Sequence, residues 1–164
     1  MKKLLLILLC LPMIGFGQKC KYQKNETDKF TKSEIKITKE KILWKNPMGG
    51  NTLSFYVSSV DKEKFITIRY SQGSVFTVKS GESLTLLLEN DESVSLITDN
   101  SVVSDYSGSS WFAYTTYSIP KNSISLLNQY NVTDIRIKTS DGYIDEEIKG
   151  KKQSRINEHL KCID

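Results

Sequence analysis

The chain has 164 residues, with 23 Lys and Arg, 19 Asp and Glu and a single His, giving a net charge of +4. This length suits one domain whose core can bury enough surface to be stable. A small net charge with Lys and Glu interspersed argues against a nucleic-acid-binding protein.

Met1, Lys2 and Lys3 form a short basic start, residues 4–14 are apolar apart from Pro12, and Gly15-Phe16-Gly17 places small residues where a signal peptidase reads them. That is the order of a removable secretory signal. The apolar run is too short to cross a bilayer, which takes about 20 such residues. A lipid anchor is disfavoured because Leu9 and Lys19, not small residues, precede Cys10 and Cys20. The expected division is a signal peptide over residues 1–17 and a single β-rich domain over 18–164, secreted or periplasmic, with Gln18 at its start. Loss of Lys2 and Lys3 leaves 21 basic against 19 acidic residues, so the net charge says little about partners. Cys10 leaves with the signal. Cys20 and Cys162 then sit near opposite ends of the domain, and an even count in an oxidising compartment predicts a disulfide between them. Two free thiols or an intermolecular bridge are the alternatives.

Along the chain, residues 18–32 are polar, with Phe30 as the first apolar anchor. Ile35 and Ile37 alternate with polar residues, and Ile42 and Trp44 resume on the opposite parity, so a turn or bulge is expected near residues 39–41. Residues 46–51 read as a loop. Leu53, Phe55 and Val57 alternate, a turn follows at residues 61–64, and Ile66, Ile68 and Tyr70 alternate again, which reads as a hairpin. A second hairpin is expected around residues 75–88, with Leu84, Leu86 and Leu88 on one face, and Asn90-Asp91-Glu92 turning the chain toward Val94 and Leu96. Residues 98–110 form the longest polar stretch. Residues 111–119 are aromatic and β-branched on both parities, as in a strand buried on both sides.

From Pro120 the period becomes helical, through Ile124, Leu127 and Tyr130 to Asn131. Residues 132–139 alternate again, Asp141-Gly142 predicts a two-residue hairpin turn with positive φ at both positions, and residues 143–148 pair back. Ile156, Leu160 and Ile163 draw one narrow apolar stripe on a basic terminal helix, which should cap the sheet and carry Cys162 to Cys20. The Lys-rich stretches at 36–45 and 149–161 read as solvated faces. The fold expected is mainly β: an antiparallel sandwich or partly open barrel of about eight short strands, with one short helix near 120–130 and one at the C-terminus.

Chemical motifs are sparse. His159 reads as an exposed helix-end residue, and oxidised cysteines make poor nucleophiles or zinc ligands. No nucleophile elbow, phosphate-binding glycine loop or zinc-protease motif is present. Asp141-Gly142 with Asp145 is too poor in oxygen ligands for calcium, and Asn25 and Asn131 fit the glycosylation pattern. No cofactor, metal or catalytic residue is assigned. Asp99, Asp105 and Asp145 are candidates for a two-carboxylate glycan hydrolase, the alternative to a binding protein. Among Tyr106, Trp111, Phe112, Tyr114 and Tyr117, Phe112 and Tyr114 are expected in the core, and Tyr106 and Trp111 are candidate ligand contacts, able to stack on a sugar ring or fill a partner's pocket.

The Lys-Lys signal, the early Cys20, the hairpins, Tyr117-x-Ile119-Pro120 leading into a helix, Ile135-Arg136-Ile137-x-Thr139 and a terminal helix ending in Cys162 resemble uncharacterised small secreted bacterial β-rich proteins. The resemblance spans nearly all of residues 18–164 and carries no activity to any residue. The function expected is a non-enzymatic exported binding or envelope-associated module. Its partner would be a cell-envelope glycan or protein rather than nucleic acid, and it would not span a membrane.

Overall fold

The computed structural model describes residues 20–163; the expected signal peptide and Gln18 lie outside the described residues. Within them the chain is mainly β and antiparallel throughout, with two α-helices. A seven-stranded sheet contains β1 (Tyr22–Thr27), β2 (Glu34–Thr38), β4 (Thr52–Val60), β5 (Glu63–Gln72), β11 (Ser110–Ser118) and β10 (Asp105–Ser107) in that spatial order, with β3 (Lys41–Lys45) also paired to β4. A four-stranded sheet runs β13 (Gly142–Glu147), β12 (Val132–Thr139), β7 (Ser83–Leu88), β8 (Ser93–Ile97). β6 (Thr77–Val78) and β9 (Val102–Val103) make a small third sheet. Helix α1 is Lys121–Gln129 and α2 is Arg155–Lys161. No helix among the described residues is long and apolar enough to cross a membrane.

Local sequence explains most of this path. The parity switch near residue 40 breaks one edge into β2 and β3. Both lie on the same side of β4, β2 beside Val60 and β3 beside Phe55. The Ser54 hydroxyl donates to the Glu40 carboxylate at that break. The β4–β5 hairpin closes through Asp61 and Lys62, with Asp61 left-handed at φ 55°, a conformation that Asp tolerates. Leu84, Leu86 and Leu88 are fully buried on β7, each worth about 1.5–3 kcal/mol relative to exposure. Pro120 precedes α1 in extended geometry, where its missing N–H costs nothing. Ile156 and Leu160 on α2, and Ile163 just beyond its end, are buried as their spacing predicts.

Four expectations change. Among the described residues thirteen strands replace about eight short ones, because several lie in polar segments such as residues 22–27 and 102–107. The segment around residue 77 pairs with β9, not with β7, whose hairpin partner is β8. The strand at residues 111–119 is buried on one face only, with Ala113, Thr115, Tyr117 and Ile119 inside and alternate residues outside. The β12–β13 turn is Ser140-Asp141, one residue earlier than expected. Gly142 pairs with Thr139 and alone takes positive φ, at 120°. The Thr139 hydroxyl fixes this turn by accepting the Asp141 N–H and donating to the Gly142 carbonyl.

The inner faces of both large sheets and the stripe of α2 join one continuous core, giving a sandwich-like body. Helix α2 packs on β4, and α1 packs on α2, where the Asn157 amide donates to the Asn128 carbonyl. Cys20 and Cys162 lie at disulfide distance, with Cα atoms 5.6 Å apart. The Tyr22 hydroxyl donates to the Cys162 carbonyl at 2.6 Å, joining the first and last parts of the described residues.

Candidate functional site

Strand β11 sorts its aromatic residues onto two faces. Tyr117 is completely buried, and burial pushes its phenol far up from the ordinary value. Phe112 and Tyr114 have the opposite parity and lie on the outer face of the large sheet, Tyr114 being 42% exposed. Their assignment to the core is therefore corrected. Apolar character on both parities of this strand reflects an aromatic outer surface, not burial on both sides. Arg69 on β5, directly opposite Tyr114, sets its guanidinium carbon 5.1 Å from the Phe112 ring centre and 5.7 Å from that of Tyr114. Such cation–π contacts stabilise by roughly 0.5–1 kcal/mol where exposed.

Tyr106 and Trp111 share the other parity. They are directly opposed across the β10–β11 hairpin, with ring centres 5.3 Å apart and planes tilted by 56°. Trp111 is half-buried, and Tyr106 is 61% exposed. The hairpin closes through Gly108-Ser109, and Gly108 supplies the positive φ of 67° that a first turn position of this kind requires. The Tyr106 hydroxyl donates to the Gly108 carbonyl at 3.1 Å, which orients the ring over the turn. Thus the two predicted contact residues come together, on a short hairpin where the sequence alone read a polar loop.

The candidate acids do not form one group by element: Asp99 follows β8, Asp105 lies on β10 and Asp145 on β13. Asp145 lies in a groove of about 530 Å³ on the outer face of the four-stranded sheet, with Asp134, Arg136, Glu147, Thr85 and Leu87. Arg136 grips Asp145 through two hydrogen bonds, Nε at 2.6 Å and Nη2 at 2.8 Å. Those bonds hold the Asp145 carboxyl below its ordinary range. Glu147 pairs with Lys149 at 2.9 Å. A general acid needs a raised pKa, and Asp145 is shifted the other way.

Two titrating groups are half-buried: Glu146, which the sequence did not single out, and His159, which was expected to be exposed. Glu146 pairs across from Ile135 and shares the inward parity of Ile144 and Ile148. Burial pushes its carboxyl up to about 7; a hydrogen bond with Tyr70 pulls the other way, and Asp145 adds to the rise. Tyr70, itself buried, is raised to about 12, and Asn51 donates to its hydroxyl at 3.4 Å. The alternation Ile144-x-Glu146-x-Ile148 was the available signal. His159 is the second group and is not exposed. It packs at 5.0 Å from the Phe55 ring centre and meets the Thr38 hydroxyl at 2.9 Å; burial lowers its pKa. Its spacing from Ile156 already placed it on the buried stripe.

Among the described residues, no group of three or more His, Cys, Asp or Glu side chains is placed to hold a metal ion. No family model matches this sequence, and comparison with curated proteins and with solved structures found no match.

Proposed function

We propose that this chain is an exported, non-enzymatic binding module that meets a cell-envelope glycan through the Tyr106–Trp111 face of the β10–β11 hairpin. The observation that supports the reading is the ring pair itself: two large aromatics held at 5.3 Å on a hairpin, one of them mostly exposed. Aromatic faces backed by a rigid strand offer apolar area at low entropic cost, and a sugar ring is a natural complement. The cysteine pair at disulfide distance supports export, since such a bridge persists in oxidising compartments. The test is co-sedimentation with purified peptidoglycan and with insoluble polysaccharides. Wild type should sediment with at least one of them, and Tyr106→Ala/Trp111→Ala should remain in solution. Equal sedimentation of both proteins would take the contact away from the hairpin.

Glycan hydrolysis by two carboxylates has one observation on its side. Asp134 and Glu147 are directly opposed in the groove, and a retaining glycosidase needs two carboxyl groups about 5–5.5 Å apart. Release of reducing ends from the same glycans by wild type, lost in Glu147→Gln, would move the function there.

A further inference from the structure

The outer strands of the two large sheets differ in how they are defended against pairing with another chain. Strand β1 carries Lys24 and Glu26, joined at 3.1 Å. Strand β10 is three residues long. Strand β3 carries Lys41 and Lys45, and Arg155 occupies its Ile42 carbonyl. Strand β13 turns Glu146 inward, between the outward Asp145 and Glu147. Charges, brevity and inward-pointing acids are the devices that keep sheet edges unpaired. Strand β8, Ser93-Val94-Ser95-Leu96-Ile97, has neither charge nor proline.

Its backbone is also presented outward. The Leu88 N–H donates to the Glu92 carbonyl at 2.8 Å, and the Thr98 N–H donates to the Glu82 carbonyl at 3.2 Å. Antiparallel pairing alternates, so Val94 and Leu96 turn their N–H and C=O groups to β7, while Ser93, Ser95 and Ile97 turn theirs away. Among the described residues no strand pairs on that side. All three residues are exposed, Ile97 by 56%.

We propose that β8 is a strand-addition site for an extended segment of a partner protein, one that is uncharged through its centre and carries Lys or Arg on both flanks. The backbone groups of Ser93, Ser95 and Ile97 supply the ladder, and Ile97 gives an apolar neighbour to one β-branched side chain. The flanks follow from charge: Asp91 and Glu92 precede the strand, Asp99 follows it, and all three are exposed. A second copy fits less well. Self-pairing centred on Ser95 sets Asp91 opposite Asp99 at both ends, and like charges directly opposed are destabilising. The site lies on the other sheet from the β10–β11 hairpin, so its failure leaves the glycan reading untouched.

The test is fluorescence anisotropy with a labelled peptide, Lys-Lys-Thr-Val-Thr-Val-Thr-Lys-Lys, and its counterpart with Glu at every Lys. The basic peptide should bind saturably and weaken with salt, and the acidic one should bind at least about tenfold more weakly. Ser95→Pro removes an outward N–H without breaking a bond to β7, and should weaken the basic peptide by about tenfold or more. Ile97→Lys, an exposed change that leaves the backbone intact, should also weaken it. Absence of saturable binding, or equal binding by wild type and both variants, overturns the proposal. So does a concentration-dependent dimer in sedimentation velocity that Ser95→Pro abolishes, because the edge then belongs to a second copy.

Discussion

At the end where Cys20 meets Cys162, each large side chain is held from several directions, whereas at the β10–β11 hairpin the aromatics hold mainly each other. Around α2, Ile156 and Leu160 are fully buried, His159 is fixed between Phe55 and Thr38, and Tyr22 and Cys20 both reach Cys162. At the hairpin, Tyr106 and Trp111 touch each other over a glycine turn, and Tyr106 is largely in solvent. The two ends use similar residue types for different purposes. Aromatic and histidine side chains at the first are enclosed by the fold, and at the second Tyr106 faces solvent. This contrast supports a binding reading, because ligand contacts are drawn from side chains that the fold does not need.

The largest effect should come from untying the terminal end. Replacing Cys20 and Cys162 together by Ser should lower unfolding stability by about 2–5 kcal/mol, read from urea denaturation. The sequence separation of 142 puts the pair at the upper end of the loop-closure effect. Non-reducing peptide mapping of protein from an oxidising compartment should recover one peptide pair containing both cysteines. A loss below about 1 kcal/mol would mean that Ile156 and Leu160 hold α2 by packing alone, and the contrast between the ends would rest on burial only.

A smaller effect separates the two half-buried titrating groups, Glu146 and His159. Glu146 has a folded pKa of about 7, above its ordinary 4.5, so the folded state binds the extra proton. Its contribution is fully present below about pH 4.5 and is lost as pH rises through about 7. His159 is shifted downward from 6.5 by burial, so its contribution is present above 6.5 and is lost as pH falls. The two slopes oppose each other just below pH 6.5, where both groups titrate. In denaturation across that window, Glu146→Gln should turn the profile toward rising stability with pH, and His159→Gln should turn it toward falling stability. Parallel profiles for wild type and both variants would place both groups in solvent and remove His159 from the anchored end.

The fold was legible wherever one face of an element is apolar and the other polar. Leu84, Leu86 and Leu88, the stripe on α2 and the β4–β5 hairpin all have that form, and the mainly β class with two helices follows from them. Legibility failed where the outer face is itself apolar. Phe112 and Tyr114 look like core by composition, yet they cover Arg69 on the outside of the sheet. It failed again where strands are made by pairing and not by composition: β9 and β10 lie in a polar stretch, and their partners Thr77, Val78 and Trp111 decide their geometry. Glu146 was hidden among acids although its parity with Ile144 and Ile148 marked it as inward. The closeness of Cys20 and Cys162 needed only their even count and the expectation of export; their separation along the chain is no obstacle once α2 docks on β4.

The smallest effect is expected where the ligand contact is proposed. Tyr106→Ala together with Trp111→Ala removes one mostly exposed ring, one half-buried ring and the contact between them. Exposed substitutions usually change stability within about 0.5 kcal/mol, and an aromatic pair adds roughly 0.5–1.5 kcal/mol. The double variant should therefore lose about 1 kcal/mol, well under the cost of removing the cysteine pair. Differential scanning calorimetry at neutral pH reads this as a shift of a few degrees for a domain of this size. A loss near 4 kcal/mol, typical of a truncated core aromatic, would show that Trp111 anchors the end of β11 against β5. In that case the hairpin would belong with the terminal helix as a stability element, and a binding surface would have to be sought on the outer face around Arg69, Phe112 and Tyr114.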